Sequence, residues 1–284
     1  FFLDSSPLIN SINKINFIYT ILDIGHRDLK NLPEYNKDTV HNRDNDYFLA
    51  GKYASRIIVG TKKIKKQISK IYNVNEKKIS ELKFPPPITS IQDYNISQLD
   101  KSIFRIGQKG NYMLYPAQFW SHKNHLYIVN AIENIKKQKN LNFNIIFTGN
   151  DKGNLLNIKN AIKEKNLNEN FIIYNYIKDE ELFYLYKNCL GVIIPTLVAP
   201  HTFPLYEAFF FRKPVIYNTN ILDDDLRSKV IDLNVEKIED LNRAIEKLKD
   251  EDFIENLIRD NFNYYHTIFN INKNKKLISE ILEK

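Results

Sequence analysis

Apolar residues along the chain fall into short aliphatic runs separated by longer stretches with helical spacing. The clearest run, Leu190-Gly191-Val192-Ile193-Ile194, has no polar position, as expected of a parallel strand buried on both faces. A polar loop follows, then an apolar helical segment opened by Pro204, then Pro214-Val215-Ile216, giving strand, loop, helix, strand. The same alternation predicts strands near 112–116, 144–148, 171–173, 190–195 and 214–217, each separated by a helical pattern. Two helices, 252–269 and 272–282, close the chain with no strand after them. Ahead of this doubly wound parallel sheet, strands at 16–22, 56–60 and 79–83 alternate with helices near 46–54 and over 61–72. They make half of a second doubly wound domain, whose earlier strands, roughly a hundred residues' worth, are expected to lie outside this chain. Phe84-Pro85-Pro86-Pro87 and the polar stretch after it read as a linker. The expected organisation is therefore an incomplete first domain over 1–90, a linker over 91–110, a complete α/β domain over 111–270 and a terminal helix over 271–284.

Composition narrows the class. With 284 residues and 43% hydrophobic content, two ordinary cores can be built. A single cysteine, Cys189, excludes a disulfide framework and suits a reducing compartment, so a cytoplasmic location is expected. No apolar run approaches the ~20 residues of a membrane span. The net charge of +7 fits nucleic acid, anionic lipid or phosphorylated substrates, but much of the chain is Lys, Asn and Ile, the bias of an AT-rich genome. A nucleic-acid binder would show clustered arginines and aromatic platforms, which are lacking, so no nucleic acid is expected as partner. Lys62, Lys63, Lys65, Lys66 and Lys70 flank Ile64, Ile68 and Ile71 at helical spacing. That face is either solvated, with the isoleucines in the core, or a patch that leans on an anionic membrane. No carboxylate or histidine set has metal-ligand spacing, so no metal cofactor is expected.

Candidate chemistry gathers at predicted strand ends. In an open α/β sheet, ligands bind at the carboxyl ends of the strands, and a helix N-terminus there offers unpaired amides to an anion. Glu207, one turn into the helix after Pro204, would repel phosphate but can accept paired hydrogen bonds from the vicinal hydroxyls of a ribose. Lys123, expected in the first turn of the helix after Tyr115-Pro116, is disfavoured there by the helix dipole unless an anion is present; the alternative is a solvated charge. His122 and His125 are expected in capping or solvent contact rather than as a metal pair. Gly149 and Asn150 follow a strand end, where glycine lets a backbone approach a ligand or simply makes the turn. His26 and Arg27 follow the first strand, as ligand contacts or, with Asp23 holding the loop by hydrogen bonding, as a loop's internal polar network.

The stretch Ala199-Pro200-His201-Thr202-Phe203-Pro204-Leu205-Tyr206-Glu207-Ala208, closed by Pro214-Val215-Ile216, resembles the donor site of the retaining GT-B glycosyltransferases of family 4. There a loop leads into Pro-x-x-Glu-Ala and a Pro-Val-Ile strand. The common form has a second glutamate where this chain has Ala199, and Ala-Pro-His-Thr is closer to a Gly-Pro-Thr-Asn variant. The resemblance implies a GT-B fold of two Rossmann-like domains, with the terminal helix crossing back to the first. It implies metal-independent transfer of a hexose, with retention, from a nucleotide sugar such as GDP-mannose or a UDP-sugar. The implied acceptor is a saccharide or lipid-linked glycan in cell-surface polysaccharide synthesis. By the same resemblance Lys123 binds the donor diphosphate and assists catalysis, Gln118 stands where many members have arginine, and Tyr174 and Tyr176 lie where backbone reads the base. His201, Thr202, Phe203 and Glu207 complete the donor site, and His26 and Arg27 would touch the transferred sugar or acceptor. Ala199 and Gln118 also leave room for a scaffold that binds nucleotide sugar or glycan without turnover.

Overall fold

The computed structural model describes residues 16–87, 111–139, 141–198 and 203–282. These form two compact units: Phe84 and everything before it with Val198 and the residues from His266 on, and Pro85–Leu197 with the stretch ending at Tyr265. The expected 91–110 linker lies outside the described residues.

In the first unit, β1 (Ile18–Ile21), α1 (Gly25–Asp28), α2 (Lys37–Tyr53), β2 (Arg56–Val59), α3 (Lys62–Tyr72) and β3 (Ile79–Glu81) build a parallel sheet of order β1-β2-β3. β1 is buried at every position, which is why its sequence Ile-Tyr-Thr-Ile shows no alternation. In α3, Thr61 caps the start by accepting from the Ile64 amide at 3.1 Å, and Asn73 closes the end in the left-handed conformation. Ile64 and Ile68 enter the core while Ile71 stays 37% exposed, so the buried stripe is narrower than expected. The last helix, α11 (Ile271–Leu282), belongs to this unit: Ile281 and Leu277 pack with Ile18, Ile58 and Leu82.

The second unit holds β4 (Tyr112–Pro116), α4 (His125–Gln138), β5 (Asn144–Thr148), α5 (Leu155–Glu164), β6 (Phe171–Tyr174), α6 (Asp179–Asn188), β7 (Gly191–Ile194), α7 (Phe203–Phe210) and β8 (Val215–Asn218). α8 (Asp224–Arg227), β9 (Ile231–Leu233), α9 (Asp240–Glu246) and α10 (Glu251–Ile268) follow. The strands are all parallel, in the order β6-β5-β4-β7-β8-β9. β9 is an addition to the expected five strands. It is three residues long and buries only Ile231 and Leu233, too short a pattern to stand out in sequence. β4 pairs with β5 on one side and β7 on the other, so the chain reverses direction of growth between them. That switch point opens a crevice at the carboxyl ends of β4 and β7, where the two following connections diverge. No helix among the described residues is long and apolar enough to cross a membrane.

Candidate active site

The wall of that crevice is the turn from Ala117 to Asn124. Phe119 is its buried anchor: its amide donates to the Asn150 carbonyl at 3.0 Å, and its carbonyl accepts from the Asn154 amide at 3.2 Å. Gly149 fits because a Cβ there would stand 2.4 Å from the Ala117 carbonyl oxygen. Close packing of two strand-end loops, rather than approach to a ligand, thus requires this glycine. Gly149 also donates to the Tyr174 carbonyl at 3.1 Å, which ties the ends of β4, β5 and β6 into one rim. Gln118 and Asn150 lie exposed on that rim, Tyr174 is half-buried and Tyr176 is 77% exposed. The Gln118 side-chain oxygen accepts from the Trp120 indole N–H at 3.0 Å.

Lys123 ends a 3-10 turn (Ser121–Lys123), and α4 starts only at His125. The lysine therefore precedes the helix rather than occupying its first turn, because Asn124 takes the left-handed conformation (φ 58°) between them. The backbone around it is fixed from both strands of the switch point. Tyr115 Oη donates to the Lys123 carbonyl at 2.8 Å. The His122 carbonyl accepts from the Leu197 amide at 2.9 Å and from Thr196 Oγ1 at 3.2 Å. Asn124 Nδ2 donates to the Pro195 carbonyl at 3.3 Å, and Asn218 Nδ2 to the Thr196 carbonyl at 2.9 Å. His125 neither caps nor meets solvent, contrary to expectation. It is fully buried between Tyr115, Phe119 and Phe147, with ring centroids 4.6–5.0 Å away. Burial, reinforced by the Lys123 charge, pushes its pKa down to about 3, so it is a neutral core imidazole.

α7 begins at Phe203, 43% exposed, and Glu207 sits in its interior. Glu207 keeps only 9% of its surface. Its Oε2 accepts from Tyr186 Oη of α6 at 2.6 Å, and the Tyr186 ring stacks on Phe211 at 5.3 Å. Burial pushes the Glu207 pKa up to about 7 despite the Tyr186 hydrogen bond, which pulls it down. Ala199, Pro200, His201 and Thr202 lie outside the described residues.

The first unit answers the question left open at Asp23, His26 and Arg27. The Asp23 carboxylate accepts from the Gly25 amide at 2.8 Å and from Arg43 at 3.0 Å. His26 is fully buried, with Nε2 2.9 Å from Asp44 Oδ1 and its ring edge-on to Tyr47. Arg27 Nε and Tyr72 Oη donate to the same Asp44 oxygen, each at 2.7 Å. Burial pushes the Asp44 carboxyl up, but donation from Tyr72, Arg27 and His26 outweighs it and holds the group below its usual range. This is a loop's internal polar network. Of the two alternatives the structure favours this network for His26, which is enclosed, while Arg27, its side chain 39% exposed, is ion-paired to Asp44. Arg43, Asp44 and Tyr72 went unrecognised in the sequence, since nothing in their spacing marks them as partners of Asp23 and His26.

The sequence model of the family described as glycosyl transferases group 1 matches residues 97–266, more than half of the chain. The chain belongs to the glycosyl transferases group 1 family. No curated protein matches this glycosyltransferase in sequence. Among solved structures it is similar to Anabaena HepE in complex with UDP and glucose (15% identity, TM-score 0.73), covering 95% of this chain and 72% of that one. It is also similar to a TarM variant of S. aureus solved with UDP, Fondaparinux and alpha-GlcNAc-glycerol (12% identity, TM-score 0.73). There the match covers 98% of this chain but 53% of TarM. WaaG, a glycosyltransferase involved in lipopolysaccharide biosynthesis, matches at 16% identity and TM-score 0.67, over 90% of this chain and 72% of WaaG. These likenesses show a GT-B fold with two Rossmann-like α/β domains.

Proposed function

We propose that this glycosyltransferase moves a hexose from a nucleotide-sugar donor, with retention and without a bound metal, onto a saccharide or lipid-linked acceptor in cell-surface polysaccharide synthesis. The observation that carries this reading is the Lys123 turn, cross-linked to the exit of β7 by the His122, Asn124, Thr196 and Leu197 hydrogen bonds at the switch point. The diphosphate lies against Lys123 and the amides at the start of α7, which take up the charge developing on the departing phosphate. Glu207, with one oxygen on Tyr186, turns the other to a ribose hydroxyl; Gln118, Asn150, Tyr174, Tyr176 and Phe203 form the remaining wall, and His201 and Thr202 are assigned to the donor site by the sequence motif alone. UDP in complex with HepE and TarM, and the involvement of WaaG in lipopolysaccharide biosynthesis, support the donor and acceptor classes. Attack occurs on the face the leaving group departs from, guided by that group, and Ala199-Pro200-His201-Thr202 represents the variant family 4 motif that dispenses with a first glutamate.

The test is calorimetric titration with UDP, GDP and the matching nucleosides, followed by donor hydrolysis and transfer assays. Diphosphate binding that Lys123→Ala weakens, with turnover of at least one nucleotide sugar, supports the reading. Diphosphate binding without turnover would make the protein a glycan- or nucleotide-binding scaffold, and diphosphate binding indifferent to Lys123 would move the site elsewhere.

A further inference from the structure

The amino ends of the strands in the second unit, opposite to the Lys123 turn, enclose a cavity of about 520 Å3. Its lining includes residues just before four strands: Asn111, Phe143, Leu190 and Pro214 precede β4, β5, β7 and β8. The floor is apolar, with Met113, Phe143, Leu190, Ile254 and Ile258, and the rim carries Lys139, Arg212, Lys213 and Lys249 against the single carboxylate of Glu246. Lys139 and Lys249 are both paired to Glu246. Arg212 and Lys213 form no ion pair among the described residues. Volume and lining fit a small-molecule site, apolar with a few convergent polar groups.

Arg212 carries a second, independent signal. The Lys213 amide donates to the Ala208 carbonyl at 2.8 Å and the Arg212 amide to Phe209 at 3.1 Å, the hydrogen-bond pair of a Schellman helix end. In that arrangement the residue at position 212 must be left-handed, and Arg212 is, with φ 54°. Glycine makes this end without strain, so the arginine is there for its side chain. The guanidinium lies 4.1 Å from the centroid of the Phe262 ring and stands where this cavity meets a neighbouring one of about 630 Å3. The neighbouring cavity is lined by Glu251 and Glu255 together with Arg259, whereas the lining of the first holds four cationic side chains against one carboxylate.

We propose that the cavity binds one long-chain phosphomonoester, its aliphatic chain over Leu190, Ile254 and Ile258 and its phosphate between Arg212 and Lys213. A phosphomonoester carries a charge close to minus two near neutrality, which matches two unpaired cations where a single carboxylate would not. The site is distinct from the nucleotide-sugar crevice and does not depend on the activity proposed above.

Titration calorimetry with dodecyl phosphate, below its micelle concentration, tests this. Inorganic phosphate and dodecyltrimethylammonium serve as the tail-less and head-reversed probes. One saturable site is expected, with dodecyl phosphate at least tenfold tighter than inorganic phosphate and no saturable binding of the ammonium amphiphile. The double variant Arg212→Gly, Lys213→Gln should lose at least tenfold in dodecyl phosphate affinity with an unchanged or higher Tm. If its Tm falls, the stack on Phe262 holds the fold and Leu190→Glu decides instead, at a position already 41% exposed; it too should lose at least tenfold. Equal affinity in the variants, many weak sites, or no saturable binding overturns the proposal.

Discussion

Replacing Glu207 with glutamine isolates the consequence of burying a carboxyl in α7. Its pKa is about 7 in the folded protein against 4.5 for the free group, because desolvation of the carboxylate outweighs the hydrogen bond from Tyr186. The folded state therefore binds the Glu207 proton more tightly than the unfolded chain does. The stabilisation from this protonation is complete below pH 4.5 and lost as pH rises through 7. At about 1.4 kcal/mol per unit, the whole excursion is on the order of 3 kcal/mol. Glu207→Gln keeps an acceptor for Tyr186 and cannot ionise; any cost of its new N–H groups is a pH-independent offset. The stability of the variant relative to the parent should thus climb by about 3 kcal/mol between pH 4.5 and pH 8, or roughly 6–12 °C in Tm at about 2–4 °C per kcal/mol for a unit of this size. Calorimetric melts at intervals between pH 5 and 9 would read this directly. UDP adds a second readout: a ribose hydroxyl donating to Glu207 favours the carboxylate, so binding at pH 6.5 should release protons, seen as a buffer-dependent heat. A Tm difference that stays flat with pH would refute the burial argument, and binding without proton release would remove the ribose from Glu207.

Lys123→Ala should cost tenfold to a hundredfold in UDP affinity, about 1.5–3 kcal/mol, with uridine binding unaltered. Transfer activity should survive EDTA; loss on chelation and recovery with manganese would contradict the metal-independent mechanism. Gly149→Ala drives a methyl into the Ala117 carbonyl and should cost about 1–3 kcal/mol of stability, together with diphosphate affinity, in melts and titrations of the same protein. Asp44→Asn should destabilise at neutral pH and become indistinguishable from the parent in strong acid, since a carboxyl held below its usual range contributes only while ionised.

How far the sequence carried the structure depends on whether the deciding contact was local. Five of the six strands of the second unit stood out because each is built around a mostly apolar run, and β4, β7 and β8 are buried at every position. α2 was legible only in its second half: Lys37 to Asn45 is polar apart from Val40, its start is fixed by Asn36 accepting from the Thr39 amide at 2.8 Å, and only Tyr47 and Ala50 are buried. Lys123 was expected in the first turn of α4, but its position ahead of that helix depends on the left-handed Asn124, whose side chain reaches across to Pro195, 71 residues away. Tyr186 as the partner of Glu207, 21 residues apart, is equally non-local. His26 is the converse case. A histidine beside an arginine and an aspartate in a loop has the composition of a site, and only the partners supplied by α2 and α3, Asp44 and Tyr72, show it to be a buried brace.

α7 concentrates two features that a helix of eight residues does not need for its own stability. A buried carboxyl costs on the order of 3 kcal/mol once ionised, and a left-handed arginine at its end costs roughly 1–2 kcal/mol more than glycine would. Leu205, Tyr206, Ala208 and Phe209 are all completely buried, and side chains of the size of leucine and phenylalanine contribute about 1.5–3 kcal/mol each. The packing of the helix against the sheet therefore outweighs both costs with a margin, whatever the loop before it does. Local rules broken where packing holds the backbone regardless are the signature of residues kept for what they contact. Glu207 is inside the helix and Arg212 follows its end, so α7 places one group on the interior toward the proposed donor site and another at the opposite end of the sheet.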